Sequence, residues 1–228
     1  MNIFGSDFKP ASKHLRNKMN AINKIIYDET YTISNLSELF FDKLKSAKNV
    51  CIIGNGPVSK SIKHLLEKFD VIIRFNNYIK DTDKDLVGER TDVQFICLQN
   101  LDQTGWIEHC NCVIAFEIAR PQHFKKLKDP FKSLLVVPPM SYIKSMKNIC
   151  DMSRGFFAIA SCLQIKNNIN KELNIYIFGF GGKGHHFNKK HHISHYHNEE
   201  QKLIGKLKNR NLIIDLKDEN CETIVIPQ

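Results

Sequence analysis

Short apolar runs alternate with amphipathic segments along most of the chain, and this alternation predicts an α/β protein. The runs that predict strands are Asn49–Gly54, Asp70–Tyr78, Asp92–Leu98, Cys112–Glu117, Leu134–Val137, Asn174–Phe180, Leu212–Asp215 and Thr223–Ile226. The segments with helical periodicity are Leu36–Ala47, Val58–Phe69, Gln122–Lys128, Ser141–Cys150, Gly155–Asn168 and Asn198–Leu207. Because strands and helices follow one another in turn, we expect a single Rossmann-like domain with a mostly parallel central sheet flanked by helices.

No internal repeat and no linker rich in Gly, Ser or Pro divides the chain, and 228 residues suit one α/β domain. The beginning of the chain is polar, and Asn35 followed by Glu38 forms a start signal for the helix Leu36–Ala47. We therefore predict an N-terminal helical arm over residues 1–48 and one folded domain over residues 49–228.

A glycine turn, Gly54–Pro57, follows the first predicted strand and precedes the predicted helix Val58–Phe69. A strand, a glycine turn and a helix N-terminus together suit an anion such as phosphate. The turn has the first half of a dinucleotide-binding fingerprint, but Ser59 stands at the third glycine and the usual acidic residue is absent, which argues against NAD. The amides of Asn55 and Asn76 suit another nucleotide; the alternative is a tight structural turn.

The predicted helix Gly155–Asn168 begins in the same way, because Ser153 precedes it at an N-cap position. Taken alone, this is an ordinary helix cap. In a parallel sheet, however, such junctions gather at the carboxyl ends of the strands, where α/β proteins bind ligands.

Six of the ten histidines lie in one segment, His185–Glu200, immediately after an apolar run that ends in glycines. Histidine has an unperturbed pKa near neutrality, so such a segment is a candidate source of a general acid or base. The alternatives are a solvated polar loop and a metal site. His191 and His195 are four residues apart, but there is no HExxH sequence and the cysteines lie elsewhere, so we expect no metal.

The chain carries a net charge of +9, which favours an anionic partner, including an anionic membrane surface to which the protein binds peripherally. The basic residues are scattered and form no nucleic-acid-binding module, so we expect no nucleic acid partner. No apolar run is long enough to span a membrane, and the N-terminus lacks a signal-peptide core. Seven cysteines without a CxxC pair indicate a reducing compartment, and we expect a cytoplasmic protein at the inner face of the membrane.

Four segments together resemble the sialyl motifs of the animal-type sialyltransferases. Residues Cys51–Asp92 contain a strand followed by the turn Gly54–Pro57, a strand ending in RxN, and VGxxT. They are similar to the large motif, in which a GNxG turn follows the first strand. Ser153–Gly181 is similar to the small motif, His186–Phe187 to the third motif, and His195–Glu200 to the His-x-x-x-x-Glu of the very small motif. The resemblance covers residues 49–205 in the family's order.

The resemblance implies a GT-A-like variant of the α/β fold and an inverting, metal-independent glycosyltransferase without a cofactor. Its donor would be CMP-sialic acid, and its acceptor a glycan hydroxyl. Carried over by position, it implies the catalytic base His195, the phosphate contact His186, the CMP ligands Asn55 and Asn76, the pocket residues Ser153, Gly155 and Gly181, and the supporting residue Glu200. The Lys-, Asn- and Ile-rich composition is typical of an AT-rich bacterial genome. We therefore expect a soluble bacterial member of this type, and as its acceptor a surface glycan such as a lipooligosaccharide or capsule precursor.

The chain also departs from the family. Cys51 and Cys162 are displaced from the positions of the family's cysteine pair, so we expect no disulfide between them. Three alternatives stay open: the same chemistry with CMP-Kdo or another CMP-sugar acid, a nucleotide- or glycan-binding protein without turnover, and metal-dependent hydrolysis by the histidine segment.

Overall fold

Short strands and helices alternate in the computed structural model, which describes residues 38–75, 84–96, 113–115, 135–136, 153–181 and 197–227. The strands in these ranges are β1 (Asn49–Ile53), β2 (Val71–Phe75), β3 (Val93–Ile96), β4 (Val113–Ala115), β5 (Leu135–Val136), β6 (Asn174–Phe178) and β7 (Ile214–Asp215). The helices are α1 (Glu38–Lys45), α2 (Lys84–Val87), α3 (Arg154–Asn168), α4 (His197–Asn209) and a short 3₁₀ helix, Lys63–Lys68. The predicted alternation is therefore confirmed across the described ranges.

The strands form one sheet of seven strands in the order β5-β4-β3-β2-β1-β6-β7, and each neighbouring pair is parallel. The chain builds outward from β1 to β5, then returns to place β6 on the other side of β1. The order reverses between β1 and β6, so the carboxyl ends of these two strands form the topological switch point of the sheet. The expected α/β class with a parallel central sheet is confirmed.

Both faces of the central strands are buried, which explains why their sequences are continuously apolar rather than alternating. In β1, Val50 and Ile52 belong to one apolar core, whereas Cys51 and Ile53 belong to the other. The first core lies under α1, α3 and α4, and the second is covered by the 3₁₀ helix and the chain after β7. Leu44 of α1 is fully buried in the first core, so this part of the predicted N-terminal arm packs on the sheet domain.

Helix α3 confirms the helix predicted over Gly155–Asn168. The side chain of Ser153 accepts a hydrogen bond from the backbone N–H of Phe156 at 3.1 Å, which satisfies one of the free donors of the first turn. The helix packs against β1, β2, β3 and β6.

Two predictions are wrong. The helix predicted over Val58–Phe69 is reduced to the 3₁₀ turn Lys63–Lys68, because the N–H of Ile62 bonds the carbonyl of Leu86 at 2.8 Å instead of a carbonyl one turn earlier. The expected anion-binding helix start after Pro57 is therefore not formed.

Thr223–Ile226 is not a strand either. The N–H groups of Thr223 and Ile224 both bond the carbonyl of Asn220, at 3.1 and 2.9 Å, which makes a turn. The apolar residues of this segment, such as the buried Ile226, cover the second core without joining the sheet.

The predicted helices Gln122–Lys128 and Ser141–Cys150 lie outside the described residues, as does the chain before residue 38. None of the helices that the described ranges contain is long and apolar enough to cross a membrane.

Candidate functional site

The turns that follow β1 and β6 are joined at the switch point by backbone hydrogen bonds. The N–H of Gly54 donates to the carbonyl of Phe178 at 2.7 Å, and the N–H of Gly56 donates to the carbonyl of Gly179 at 3.0 Å. These bonds extend the pairing of the two strands beyond the sheet and fix both turns at its carboxyl edge.

This close approach requires glycine on both sides. A Cβ on Gly54 would lie 2.5 Å from the carbonyl oxygen of Gly179, and a Cβ on Gly56 would lie 2.6 Å from the same oxygen. Gly179 itself has a φ of 72°, which disfavours a side chain. The glycines that suggested a phosphate-binding turn therefore first serve to pack the two turns together.

Asn55 lies between these glycines and is buried, with 9% of its surface exposed. Its Nδ2 donates to the carbonyl of Phe75, the last residue of β2, at 3.2 Å. Its Oδ1 has no hydrogen-bond partner in the part of the chain that the structure describes. A buried amide oxygen without a partner is costly, so it marks a position where a ligand donor would be favourable.

Phe180 brings a third segment to the same place. Its ring lies edge-on to that of Phe75, with centroids 6.1 Å apart, and a Cβ on Gly155 would lie 2.5 Å from its Cε1 atom. The glycine at the start of α3 is therefore required for packing against Phe180. As a result, the N-terminus of α3 lies beside the turns after β1 and β6, as the sequence predicted.

Glu200 contacts the start of α3 from the neighbouring helix α4. Its Oε1 accepts a hydrogen bond from the backbone N–H of Ser153, and its side chain is 4% exposed. The carboxylate therefore supports the residue that caps α3. Glu200 itself lies in the first turn of α4, a helix that begins two residues after His195.

Lys217, which the sequence analysis did not single out, also lies at this edge. Its Nζ is 3.3 Å from the position of a Cβ on Gly181, and it borders a cavity of about 30 Å³ together with Gly179 and Ser59. The residues around Lys217 in the sequence form no motif that would predict a site. The lysine reaches the site because it follows β7, which pairs with β6.

An open groove of about 900 Å³ lies next to this cavity, between the chain after β1 and the chain after β7. Lys60 borders both spaces, and its Nζ donates to the carbonyls of Lys217 and Glu219 at 2.7 and 2.8 Å. His64 bonds the carbonyl of Cys221 at 2.9 Å. These side chains tie the two loops together.

Arg74, in the strand that resembles part of the large motif, is fully buried and serves a structural purpose. Its guanidinium donates to the carbonyls of Val87, Gly88 and Arg90 at 2.5, 3.1 and 3.0 Å. The segment that resembles VGxxT is thus wrapped around a buried cation on β2.

The structure brings together five of the eight predicted site residues: Asn55, Ser153, Gly155, Gly181 and Glu200. Glu200 supports the cap of α3, and the other four lie at the switch point or at the helix start beside it. The predicted residues Asn76, His186 and His195 lie outside the described residues.

Cys51 and Cys162 are both buried, but they belong to the two cores on opposite faces of the sheet. This placement keeps their thiols apart, and both are free. Across the described ranges, no group of three or more His, Cys, Asp or Glu side chains is arranged to hold a metal ion.

No protein-family model matches the chain, and no curated protein matches it. Among solved structures, the chain is similar to the crystal structure of a mammalian sialyltransferase, with a TM-score of 0.52 and 16% identity over 95% of this chain and 83% of that chain. A mammalian sialyltransferase in complex with Gal-beta-1-3GalNAc-ortho-nitrophenol aligns with a TM-score of 0.49 and 13% identity, over 93% of this chain and 88% of that chain. The first comparison shows that the chain has the fold of a sialyltransferase, which confirms the expected GT-A-like variant.

Proposed function

We propose that the protein is a glycosyltransferase that moves a sialic acid from CMP-sialic acid to a hydroxyl of a glycan acceptor, with inversion and without a metal. The observation that carries this proposal is the buried Asn55 amide, whose Oδ1 has no partner in the described part of the chain, at the switch point of a sialyltransferase fold. The four sequence segments that resemble the sialyl motifs support the same activity.

The donor nucleotide would lie across the turns after β1 and β6. Asn55 offers an acceptor there, and its orientation is fixed by the bond from Nδ2 to Phe75. The first turn of α3 adds the partial positive charge of a helix N-terminus, which favours an anionic ligand. Gly181 leaves the backbone accessible beside Lys217, while Gly155 acts indirectly by admitting the ring of Phe180.

His195 would act as the catalytic base that takes the proton from the acceptor hydroxyl, and His186 would contact the donor phosphate. These roles, and that of Asn76 in holding CMP, come from the resemblance. The position of Glu200 supports them, because it fixes the start of α4, two residues after His195, against the cap of α3.

The proposed reaction develops positive charge on the sugar and negative charge on the departing phosphate. A protonated His186 and the α3 N-terminus would stabilise that phosphate. A neutral His195 would assist attack from the opposite face of the sugar, which inverts the anomeric centre, and general base catalysis of this kind contributes about 10²–10⁴-fold.

The net charge of +9 supports a peripheral association with anionic lipids, and with it an acceptor such as a lipooligosaccharide or capsule precursor at the inner face of a bacterial membrane. Binding to anionic liposomes should weaken as salt rises, since exposed charges are screened. Binding that does not change with salt would argue against this location.

The activity is tested by following release of CMP from CMP-sialic acid with a mixed glycan acceptor pool and a chelator present. We expect acceptor-dependent release that survives the chelator and falls by about 10²-fold or more in His195→Ala. A second arm with CMP-Kdo tests the alternative donor. Binding of CMP without release from either donor would instead indicate a nucleotide-binding protein without turnover.

A further inference from the structure

Lys217 places an ammonium group at the edge of the candidate nucleotide site. Its Nζ lies 3.3 Å from where a Cβ of Gly181 would stand, and the carbonyl of Gly181 lies 3.0 Å from where a Cβ of Gly56 would stand. The lysine is thus separated from the Asn55 turn by a single layer of glycine backbone. Apart from the chain neighbours of Gly181, the Lys217 Nζ is the one atom of the described residues within 4 Å of where a Cβ of Gly181 would stand.

The backbone that carries Lys217 is held in place by three hydrogen bonds. The N–H of Leu216 donates to the carbonyl of Ile177 in β6 at 2.9 Å, and the N–H of Lys217 donates to the Asp215 carboxylate at 3.1 Å. The carbonyl of Lys217 accepts from Lys60 at 2.7 Å. The backbone from which the Lys217 side chain extends is therefore held in one position.

The acidic residues next to Lys217 are paired with another cation. Lys208 bonds Asp215 at 3.2 Å and also forms an ion pair with Asp218. Lys217 is exposed and has no ion pair with any of the residues that the structure describes. Its charge thus remains available at the site, whereas that of Lys60 is directed to two backbone carbonyls.

From this geometry we propose that Lys217 binds the phosphate of the nucleotide in the site. The inference rests on the proposed function, which places a cytidine nucleotide there, and it adds a residue outside all four sialyl-like segments. An ammonium is a suitable phosphate ligand because it offers three donors and a full charge.

The test is calorimetric titration of the full-length protein with CMP and with cytidine, at low and at moderate salt. The variants are Lys217→Gln, which removes the charge, and Lys217→Arg, which retains it. The control is Lys171→Gln, which makes the same change in net charge at an exposed lysine. Lys171 lies just before β6, at the amino ends of the strands, whereas Lys217 lies at their carboxyl ends.

We expect Lys217→Gln to weaken CMP binding about tenfold and to flatten its salt dependence, while cytidine binding stays unchanged. Lys217→Arg should retain most of the affinity, and Lys171→Gln all of it. The inference is overturned if Lys217→Gln binds CMP as the wild type does, or if it loses cytidine and CMP equally. Failure of the wild type to bind either ligand would overturn the proposed donor site itself, and this inference with it.

Discussion

The Glu200 carboxylate accepts a hydrogen bond from the backbone N–H of Ser153, a residue 47 positions earlier in the chain. Ser153 in turn caps α3 through its side chain, which accepts from the N–H of Phe156. The first turns of α3 and α4 are therefore connected through one buried carboxylate. This connection fixes the cap of α3 relative to the helix that begins just after the proposed catalytic base.

Replacing Glu200 should destabilise the protein, because the partly buried N–H of Ser153 would lose its acceptor. We expect Glu200→Ala to lower the free energy of unfolding by about 1–3 kcal/mol, and Glu200→Gln to lower it less since an amide oxygen still accepts. Urea denaturation measures both. The control is Glu172→Ala at an exposed position, and equal stability of the two alanine variants would contradict this function of Glu200.

Asn55 should contribute to nucleotide binding more than to stability. Asn55→Ala removes the free Oδ1, and we expect CMP to bind about tenfold more weakly, with a loss of about 1 kcal/mol in stability from the bond to Phe75. Asn55→Asp preserves the shape but would bring a negative charge near the phosphate of the proposed ligand, so its CMP binding should be weaker still. Titration calorimetry and thermal unfolding separate the two effects. Unchanged CMP affinity in both variants would show that Asn55 does not contribute to nucleotide binding.

The contact between Gly155 and Phe180 predicts a compensating pair of substitutions. Gly155→Ala places a Cβ 2.5 Å from the ring, which should destabilise the protein by about 1–3 kcal/mol through overpacking. Phe180→Leu frees part of that space, so the double variant should lose less than the sum of the single losses. Strict additivity in urea denaturation would show that the two residues do not collide.

Gly205, in the interior of α4, provides the matched control for that experiment. Apart from the backbone of α4 itself, no atom of the described residues lies within 4 Å of a Cβ at this position, so Gly205→Ala meets no obstacle there. Because alanine favours the helix over glycine, we expect a gain of about 0.5–1 kcal/mol. The same alanine substitution should therefore have opposite signs in α3 and α4.

Cys51 should make the stability of the protein depend on alkaline pH. Burial raises the pKa of its thiol from 9.0 to about 12, so the folded protein keeps a proton that the unfolded chain releases above pH 9. Stability from this group is complete below pH 9 and decreases as the pH rises towards 12, by up to about 1.4 kcal/mol per pH unit. Urea denaturation of the wild type and Cys51→Ala from pH 8 to 10.5 should give a shallower decrease in the variant. Parallel pH profiles would exclude this contribution.

The strands were predictable because strands that are buried on both faces are apolar at consecutive positions. Val50 to Ile53 are apolar at every position, as a strand covered on both faces requires. The start of α3 was predictable because its cap is a local contact, from Ser153 to Phe156. Such features depend on residues close together in the sequence.

The incorrect predictions concern segments whose backbone bonds distant residues. The apolar spacing from Val58 to Phe69 suits a helix, but Ile62 donates to Leu86 after the chain has passed through β2. The residues Thr223–Ile226 have the composition of a strand, but Asn220 closes a turn on Thr223 and Ile224. Tertiary contacts overrode the local pattern in both places.

The candidate site divides in the same way. The position of Asn55 beside the sheet was predictable because it stands in a recognisable glycine turn. The packing function of Gly155 was not, because it depends on the ring of Phe180, 25 residues further along the chain. Lys217 was not predictable, because the residues around it in the sequence form no known motif. The pairing of β7 with β6 brings it next to Gly181.

The pairing of β1 with β6 also determines when the site can form during synthesis. Asn49 is the register partner of Asn174, so the centre of the sheet joins the beginning of the folded domain to a strand made much later. The ribosome must release β6 and then Lys217 before the turns around Asn55 acquire their neighbours. The candidate site is thus one of the last parts of the molecule to be completed. A nascent chain that stops before β6 carries five of the seven described strands but lacks the turn that Gly54 and Gly56 contact.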